Sequence, residues 1–382
     1  MHFETMVPQR IGIIGNQAFS VVNFRLPLMR TLVQYGHTVY AIAPDFDASN
    51  KAALEAEGIT AVSVSLSRTG LNPIRDLGDA ARLGRVLKAL QLDTVLSFAI
   101  KPVIYGTLAA RWAGIPNRYA LIAGLGYAFG ESKEKSVRRT ILRWTASFLY
   151  RIALGQAERV FMQNPDDLEE FASMGIVPIN KMVHVNGTGV ELDQWPVLPP
   201  IEQPPTFILA ARLLKEKGVY DFVAAARIIK KSFPSARFIL LGGLDSNPSG
   251  IRRHDVDSWV SEGVIEWPGH VPVRDWLGRA SVFVLPSYYR EGVPRSTQEA
   301  MASGRPIITT DVPGCRETVV DGRNGYLIPP RDPAVLAGAM QRFIEEPALI
   351  GKMGAQSRAL AEERFDVDTI NGTMITTMKL NP

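Results

Sequence analysis

The chain of 382 residues carries 42 Lys and Arg against 38 Asp and Glu, a net charge of +4, and 46% of its residues are hydrophobic. This length favours two domains over one core, and the composition excludes a chain that is disordered throughout. The charge is modest when it is spread over the whole chain, and no nucleic-acid partner is expected. No run approaches the ~18 apolar residues of a membrane span and no N-terminal stretch resembles a secretory signal, so a cytoplasmic protein is expected.

Metal and disulfide chemistry find little support in the sequence. Cys315 is the only cysteine, which excludes an intrachain disulfide and a cysteine-based zinc site, and it is expected to be a small buried residue. Asp-x-Asp pairs begin at Asp45, Asp255 and Asp366, but none follows a strand as tightly as a metal site on sugar phosphates requires. We therefore expect no metal and no cofactor.

Strands and helices alternate along the first half of the chain. Apolar runs that end in turns predict the strands, and apolar residues at helical spacing predict the helices. The predicted strands are a run from Arg10 to the turn at Gly15 and residues 38–43, 60–65, 94–98, 159–163 and 182–186, with helices over 22–35 and 79–90. The pattern is Rossmann-like, but the first turn is not G-x-G-x-x-G and no acid ends the second strand, which disfavours a nicotinamide cofactor.

A proline-rich segment separates the two halves. Residues 195–205 hold five prolines, a composition typical of a linker. The predicted domains are therefore 1–192 and 206–365, with a linker over 193–205. The second domain has predicted strands over 206–210, 237–241, 264–267, 281–285 and 306–310, and helices over 219–231, 335–345 and 350–365.

One stretch of the second half carries two carboxylates at a fixed interval. Glu291 lies in a loop, and Glu299 lies about two turns into a helix that begins at Pro294. Gly292 lets main-chain N–H groups at the helix start approach a bound anion. The pattern suits a sugar nucleotide, with the helix start at the diphosphate, one glutamate at the sugar and the other at the ribose. Either glutamate by itself is equally typical of a solvated surface.

The residues from Arg290 to Ile308, R-E-G-V-P-R-S-T-Q-E-A-M-A-S-G-R-P-I-I, resemble the glutamate-pair signature of the family 4 retaining glycosyltransferases. Residues 211–218 and 311–330 resemble further blocks of this family. The resemblance covers nearly the whole chain and is strongest over 206–330. It implies the GT-B fold, an α/β architecture in which two Rossmann-like domains face each other across a cleft. It also implies that residues 366–382 cross back to the first domain.

The resemblance implies a UDP-sugar donor bound by the second domain. Arg212 and Lys217, which follow a predicted strand, are expected to converge on the two phosphates and to stabilise the leaving diphosphate. The block around His270 resembles the place where family members contact the base through the main chain. The expected catalytic residues are Arg212, Lys217 and Glu291. The expected donor-binding residues are Gly15, Asn16, His270, Val271, Gly292, Val293 and Glu299.

The resemblance also implies an acceptor in which a sugar is linked to a lipid diphosphate, since residues 99–110 and 121–130 resemble blocks of family members that extend such acceptors. Arg68 lies in a loop after a predicted strand, where a guanidinium suits an acceptor phosphate, although a solvated arginine fits equally. Many members carry a histidine in the second block. This chain has none there, so the role is unnecessary or falls to the backbone, Lys101 or Tyr127. The expected acceptor-binding residues are Arg68, Lys101, Gly124 and Tyr127.

A helix with a basic N-terminal half is predicted within 131–156. Its apolar stripe, at helical spacing, consists of Val137, Ile141, Trp144, Phe148 and Ile152. One interpretation packs this stripe on the helix's own domain. The other lays the helix on an anionic membrane, which gives a peripheral location on the inner face of the cell membrane. The residues expected to meet the membrane are Lys133, Lys135, Arg138, Arg139, Arg143 and Trp144.

The function that the resemblance implies is retaining transfer of a hexose or N-acetylhexosamine in surface polysaccharide or glycan assembly, and we expect it to be metal-independent. No carboxylate is obviously placed as a nucleophile, so we expect a front-face route in which the departing phosphate takes the acceptor proton. Two alternatives stay open. A nucleotide-sugar epimerase can share the architecture, whereas a non-catalytic membrane-bound adaptor would have no use for Arg212, Lys217 and the two glutamates.

Overall fold

The computed structural model of the chain describes residues 7–66, 73–126, 129 and 137–382, without the side chains of residues 73, 74 and 137–139. The chain forms two compact units. The first unit is Met1–Thr188 together with Asp368–Pro382, and the second is Gly189–Val367. The division between the units thus lies at Thr188, earlier than the predicted domain end at residue 192, and the C-terminal residues belong to the first unit.

The described residues alternate between strands and helices in both units. The strands are β1 (Arg10–Ile14), β2 (Thr38–Ala43), β3 (Thr60–Ser63), β4 (Thr94–Phe98), β5 (Asn117–Ile122), β6 (Arg159–Met162), β7 (Met182–His184), β8 (Thr206–Ala210), β9 (Arg237–Leu241), β10 (Glu266–Gly269), β11 (Val282–Leu285), β12 (Ile307–Thr310) and β13 (Gly325–Ile328). The helices are α1 (Ala18–Gln34), α2 (Ala48–Glu55), α3 (Pro73–Ala89), α4 (Thr107–Trp112), α5 (Val137–Gly155), α6 (Pro165–Ser173), α7 (Val219–Ser232), α8 (Arg253–Ser261), α9 (Arg274–Leu277), α10 (Arg295–Ala302), α11 (Pro333–Glu345), α12 (Ala348–Arg364) and α13 (Val367–Thr377).

Each unit is built on a parallel sheet. The first unit has the strand order β3-β2-β1-β4-β5-β6-β7, and the second has β10-β9-β8-β11-β12-β13. Side chains alternate between the two faces, so Ile13 enters one apolar cluster and Ile14 another, as do Phe207 and Ile208 in the second unit. A parallel sheet that is covered on both faces needs such uninterrupted apolar strands. The predicted α/β class with two parallel-sheet domains is confirmed.

Some elements differ from the sequence prediction for physical reasons. The strand predicted over 264–267 lies at Glu266–Gly269, and its pairing with β9 shifts register within this span. It includes Pro268, which has no N–H for a ladder and is tolerated because β10 is an edge strand. The sequence prediction also missed α2, whose N-terminus is capped by the Asp47 carboxylate through the Asn50 amide, and it missed β13.

The predicted linker is packed on the second unit. The Arg305 guanidinium, fully buried, donates to the carbonyl oxygens of Leu277 and Pro199 over 3.0 Å and 2.8 Å. Burial lowers the pKa of Arg305 to about 10. The amide of Leu198 donates to the Ser303 carbonyl oxygen over 3.1 Å. Residues 193–205 are therefore part of the second unit, where composition by itself suggested a free connection.

The C-terminal helix α13 completes the core of the first unit. Its buried side chains, among them Met374 and Ile375, join the cluster that covers one face of the sheet, as does Met378 directly after the helix. The Tyr119 hydroxyl lies 3.3 Å from the Met378 carbonyl oxygen, which ties β5 to the end of the chain. The last residues are thus needed for the fold of the first unit.

Substitution Met374→Ala should lower the free energy of unfolding by about 2–5 kcal/mol, because it leaves a cavity where a fully buried side chain packed. The exposed Thr376 on the same helix offers the control Thr376→Ala, which should change stability by about 0.5 kcal/mol or less. Urea unfolding followed by circular dichroism measures both. Equal stability of the two variants would show that α13 does not contribute to the core.

Candidate functional site

The connections in each sheet change direction at one position. In the first unit β1 lies between β2 and β4, and in the second unit β8 lies between β9 and β11. Ligands of open α/β sheets bind at such switch points, at the edge where the strands end. We call this edge the carboxyl edge. The loops after β1 and β4, and those after β8 and β11, therefore form the candidate site of each unit.

The loops after β8 and β11 are held against each other. The helical turn Lys215–Lys217 ends at Gly218 with a φ of 74°, and a β-carbon at that glycine would lie 2.0 Å from the Pro286 carbonyl oxygen. Only glycine allows this approach. The Tyr288 amide donates to the Glu216 carbonyl oxygen over 2.9 Å, which fastens the two loops together.

This arrangement joins Lys217 and Glu291, two of the predicted catalytic residues. The Lys217 ammonium donates to Oε1 of Glu291, and the two side chains are 13% and 12% exposed. The centroid of the Tyr289 ring lies 5.5 Å from the lysine nitrogen, within reach of a cation–π contact. Partial burial strengthens the attraction between the charges, so cation and carboxylate hold each other in place.

Ser287 belongs to the same cluster, although sequence reasoning missed it. Its buried hydroxyl lies 3.0 Å from Oε1 of Glu291 and 3.2 Å from the Glu216 carbonyl oxygen. The charged acceptor makes the stronger hydrogen bond. The Tyr289 amide donates to the same hydroxyl oxygen over 3.2 Å, which fixes its orientation. The sequence offered only its position two residues after a strand, and that is a weak signal.

Arg212 lies on another part of the carboxyl edge. Its Nη1 atom lies 3.6 Å from Oδ2 of Asp245 in the loop after β9, and its side chain is 51% exposed. Such an exposed pair contributes little stability, so the guanidinium is accessible to an anionic ligand. The structure thus pairs Lys217 with Glu291 and Arg212 with Asp245. Convergence of both cations on one diphosphate stays a prediction.

Glu299 lies on α10 with a partner of its own. The helix begins directly after Pro294, as predicted, and Nε of Arg295 donates to Oε1 of Glu299 over 3.0 Å. Arg295 also donates to the Gly189 carbonyl oxygen. Burial raises the pKa of Glu299, and Arg295 opposes this effect. The contact of Glu299 with a ribose stays a prediction.

The loops after β9 and β10 carry the residues predicted to contact the base. His270 follows β10 directly, and a β-carbon on Gly243 would lie 3.4 Å from the His270 Cβ. The Gly242 amide donates to the Gly269 carbonyl oxygen over 2.9 Å, which ties the loop after β9 to the end of β10. The Val271 side chain packs against the core beneath them. These loops lie on the same carboxyl edge as the Lys217–Glu291 pair.

Gly292 and Val293 connect Glu291 to α10. The Val293 side chain is buried in the core of the second unit, which leaves its main chain for the predicted contact with the donor. Gly314, at a φ of +79°, supports this segment from the loop after β12, because a β-carbon on it would lie 2.0 Å from the Gly292 carbonyl oxygen. The loops after β11 and β12 are therefore in direct backbone contact.

In the first unit, Gly15 occupies a position that admits no side chain. A β-carbon there would lie 2.6 Å from Val21 and 2.8 Å from the Phe98 ring. Asn16 follows it in the loop between β1 and α1. The predicted contacts of Gly15 and Asn16 with a donor stay predictions.

Lys101 has a carboxylate partner that the sequence did not indicate. Its ammonium lies 2.8 Å from Oδ1 of Asp76, and both side chains are nearly buried. Burial raises the pKa of the Tyr105 phenol, and the Asp76 carboxylate raises it further. Nearby, Ala99 adopts a φ of +70° and Pro102–Gly106 form a π-helical turn. Both irregularities are uncommon and concentrate at functional sites, which supports the loop after β4 as part of the candidate site.

The other predicted acceptor residues are placed only in part. Gly124 follows β5 and adopts a φ of +93°, a conformation that favours glycine. The two other predicted acceptor residues, Arg68 and Tyr127, lie outside the described ranges. Lys133 and Lys135, which are predicted to meet the membrane, also lie outside them. Arg138 and Arg139 lie in α5, but their side chains are not described.

Several acidic residues considered for metal binding have structural partners. The Asp45 carboxylate accepts from the Ala18 amide over 2.6 Å, and the Tyr220 hydroxyl donates to Asp255 over 2.8 Å. Within the described ranges, no group of three or more His, Cys, Asp or Glu side chains is placed to hold a metal ion. Cys315 is fully buried, as predicted, and burial raises the pKa of its thiol to about 12.

Comparison with known proteins identifies the family. The family described as "Glycosyl transferases group 1" matches residues 204–346, and the "Glycosyl transferase 4-like domain" matches residues 22–187. The chain is 29% identical over 374 residues to the N,N'-diacetylbacillosaminyl-diphospho-undecaprenol alpha-1,3-N-acetylgalactosaminyltransferase of Campylobacter jejuni, covering 93% of this chain and 96% of that protein. The chain therefore belongs to the group 1 glycosyltransferases.

Solved structures show the same fold. Sucrose-phosphate synthase from Thermosynechococcus elongatus has a TM-score of 0.79 at 19% identity, over 97% of this chain and 98% of that chain. The HepE protein of Anabaena, solved in complex with UDP-glucose, has a TM-score of 0.74 at 17% identity, over 97% and 99% of the two chains. The expected GT-B fold is thus confirmed.

Because the Cys315 thiol is buried and its pKa is raised to about 12, it should resist iodoacetamide in the folded protein. In concentrated urea the same thiol should react fully, since the chain has no other cysteine. Mass spectrometry distinguishes the two states. Rapid labelling of the folded protein would contradict the buried position of Cys315 beneath the site.

Substitution Ser287→Ala should lower turnover about tenfold or more, because it removes a hydrogen bond of about 1.5–3 kcal/mol to the Glu291 carboxylate. Ser261→Ala, on the exposed end of α8, is the control and should leave turnover unchanged. Steady-state sugar transfer measures both variants. Wild-type turnover in a folded Ser287→Ala protein would rule out this orienting role.

Proposed function

We propose that the protein transfers a hexose or N-acetylhexosamine from a UDP-sugar to a saccharide on a polyprenyl diphosphate, with retained anomeric configuration. The carrying observation is the Lys217–Glu291 pair, which lies at the switch point of the second sheet, where α/β sheets bind ligands. The Campylobacter jejuni relative is named for an N-acetylgalactosaminyl group and a diphospho-undecaprenol acceptor. The HepE structure contains UDP-glucose. These names support the choice of donor and acceptor.

The donor diphosphate is assigned to the carboxyl edge of the second sheet. The Lys217 ammonium is largely buried. An ammonium in such a position stabilises a developing negative charge on phosphate more strongly than an ammonium in water does. Arg212 is exposed and weakly held, so its guanidinium can turn from Asp245 to the diphosphate. The Glu291 carboxylate accepts hydrogen bonds from hydroxyl groups of the sugar. The Glu299 carboxylate accepts them from the ribose hydroxyls. The main chain at His270, Val271, Gly292 and Val293 surrounds the base and the phosphates.

The proposed reaction proceeds on one face of the sugar. The bond between the anomeric carbon and the donor phosphate breaks, and its electron pair goes to the phosphate oxygen. The acceptor oxygen forms a bond to the anomeric carbon from the same face, and its proton passes to the departing phosphate. Lys217 and Arg212 balance the charge that grows on the diphosphate. Because these side chains supply positive charge, we assign no metal ion and no cofactor to the reaction.

The acceptor is assigned to the carboxyl edge of the first sheet. Lys101 is held by Asp76 beside an irregular backbone segment, and Gly124 lies in a neighbouring loop. An ammonium in this position suits the diphosphate of the lipid carrier. The proposed location is the cytoplasm, at the inner face of the membrane that holds this carrier.

Substitutions Lys217→Ala and Glu291→Gln should each reduce turnover at least about a hundredfold, since each removes one partner of the pair and leaves the other charge partly buried and unpaired. Lys215→Ala is a matched control, because Lys215 is an exposed lysine in the same turn. Unfolding temperature serves as the check on the fold. Full activity of Lys217→Ala or Glu291→Gln would refute the assigned roles.

A purified-enzyme assay tests the chemistry itself. Radiolabelled UDP-sugars are incubated with a short polyprenyl-diphosphate saccharide, and the product configuration is read from its anomeric NMR coupling. Transfer that needs the acceptor, retains configuration and persists in EDTA is the expected result. Isomerisation of the donor without acceptor would indicate an epimerase. Absence of binding to any nucleotide diphosphate would indicate an adaptor.

A further inference from the structure

Helix α5 presents a row of large apolar side chains to solvent. Ile141, Trp144, Phe148 and Ile152 are between 41% and 70% exposed, and Trp144 is the most exposed of the four. Their spacing places them along one side of the helix. Trp144 and Phe148 stack with ring centroids 5.9 Å apart and an interplanar angle of 7°. We call these four side chains the apolar ridge.

The ridge is separate from the side of α5 that packs on the fold. Tyr150, Ala153 and Leu154 are buried in the core of the first unit, where the Tyr150 ring contacts Phe171 at 5.3 Å between centroids. Of the two interpretations of the sequence pattern, the structure thus excludes burial of the ridge within the first unit. An exposed contiguous apolar surface marks a place of interaction.

A shallow groove of about 310 Å³ runs beside the ridge. Its lining includes the apolar side chains of Trp144, Phe148 and Met174, together with Ser147, Arg143 and Arg151. Arg143 is held by Glu170 over 2.8 Å, and Arg151 donates to the Met174 and Gly175 carbonyl oxygens over 2.8 Å and 2.9 Å. Both guanidinium groups are thereby held in place at the groove.

The charge of α5 has one sign. The helix contains Arg138, Arg139, Arg143 and Arg151 and no Asp or Glu over its length. Two copies of such a helix repel each other, whereas an anionic surface attracts it. Tryptophan and phenylalanine beside arginine are the side chains that suit the boundary between lipid headgroups and acyl chains. Within the described ranges, no helix is long and apolar enough to cross a membrane.

We propose that α5 docks on an anionic phospholipid bilayer. The apolar ridge enters the headgroup boundary, and the groove takes part of one acyl chain. Arg143 and Arg151 lie at the level of the lipid phosphates. Their distance from the ridge is fixed, because both residues are on the same helix as the ridge. This contact places the first unit on the membrane through residues other than the loops at its carboxyl edge. It involves neither the sugar donor nor the Lys217–Glu291 pair, so it is testable without catalysis.

Vesicle flotation of the full chain tests the proposal. Binding to vesicles that mix phosphatidylglycerol with phosphatidylcholine should exceed binding to pure phosphatidylcholine at least about tenfold, and salt should weaken it. The double variant Trp144→Ser/Phe148→Ser should lose at least about tenfold in affinity, because the ridge no longer inserts. Arg143→Gln/Arg151→Gln should lose most of the preference for the anionic lipid.

Trp112→Ser is the matched control, because Trp112 is also strongly exposed but lies on α4 and does not line the groove. It should bind vesicles like the wild type, and all variants should share its circular dichroism spectrum and unfolding temperature. Vesicle binding that survives Trp144→Ser/Phe148→Ser overturns the proposal. So does an equal loss in Trp112→Ser, or a dimer in solution that only the ridge variant abolishes, since the ridge would then cover a second copy.

Discussion

The ion pair of Lys217 and Glu291 is the interaction on which the candidate site depends. The two residues are 74 positions apart in the chain, and they meet because Gly218 lets one loop approach the backbone of the other. The Ser287 hydroxyl donates to the same carboxylate oxygen that Lys217 contacts and helps to orient it. A partly buried charge that loses its partner costs several kcal/mol, so this pair keeps the two loops in one arrangement before any ligand arrives.

A similar arrangement recurs in the first unit. There the Lys101 ammonium is held by the Asp76 carboxylate, next to a strained alanine and a π-helical turn. Each switch point therefore carries a lysine whose charge is already balanced and whose position is already set. In the proposed function an incoming diphosphate would meet an oriented donor of hydrogen bonds, and little side-chain entropy would be lost on binding. Arg212 differs from the two lysines, because its side chain is exposed and only weakly paired with Asp245 and is therefore free to reorient.

Helix α5 has one side that packs in the core and another side that is exposed to solvent. One side completes the core of the first unit, and the other exposes aromatic rings between arginine side chains. If the acceptor is lipid-linked, as proposed, a fixed orientation on the bilayer would restrict the search of the enzyme for its substrate to two dimensions. The chemistry and the membrane contact then use separate elements, so each can be altered without the other.

The alternating α/β architecture, the two sheets and most strand positions follow from local sequence patterns, because buried parallel strands must be apolar and their turns need glycine and proline. The family resemblance also singled out Lys217 and Glu291 as candidates, and helical spacing predicted the apolar stripe of α5. The folded structure was needed to show that residues 193–205 pack on the second unit, that Asp76 pairs with Lys101, that Ser287 reaches Glu291 and that the ridge of α5 is exposed. These facts join residues far apart in the chain, and local periodicity carries no information about which distant side chains meet.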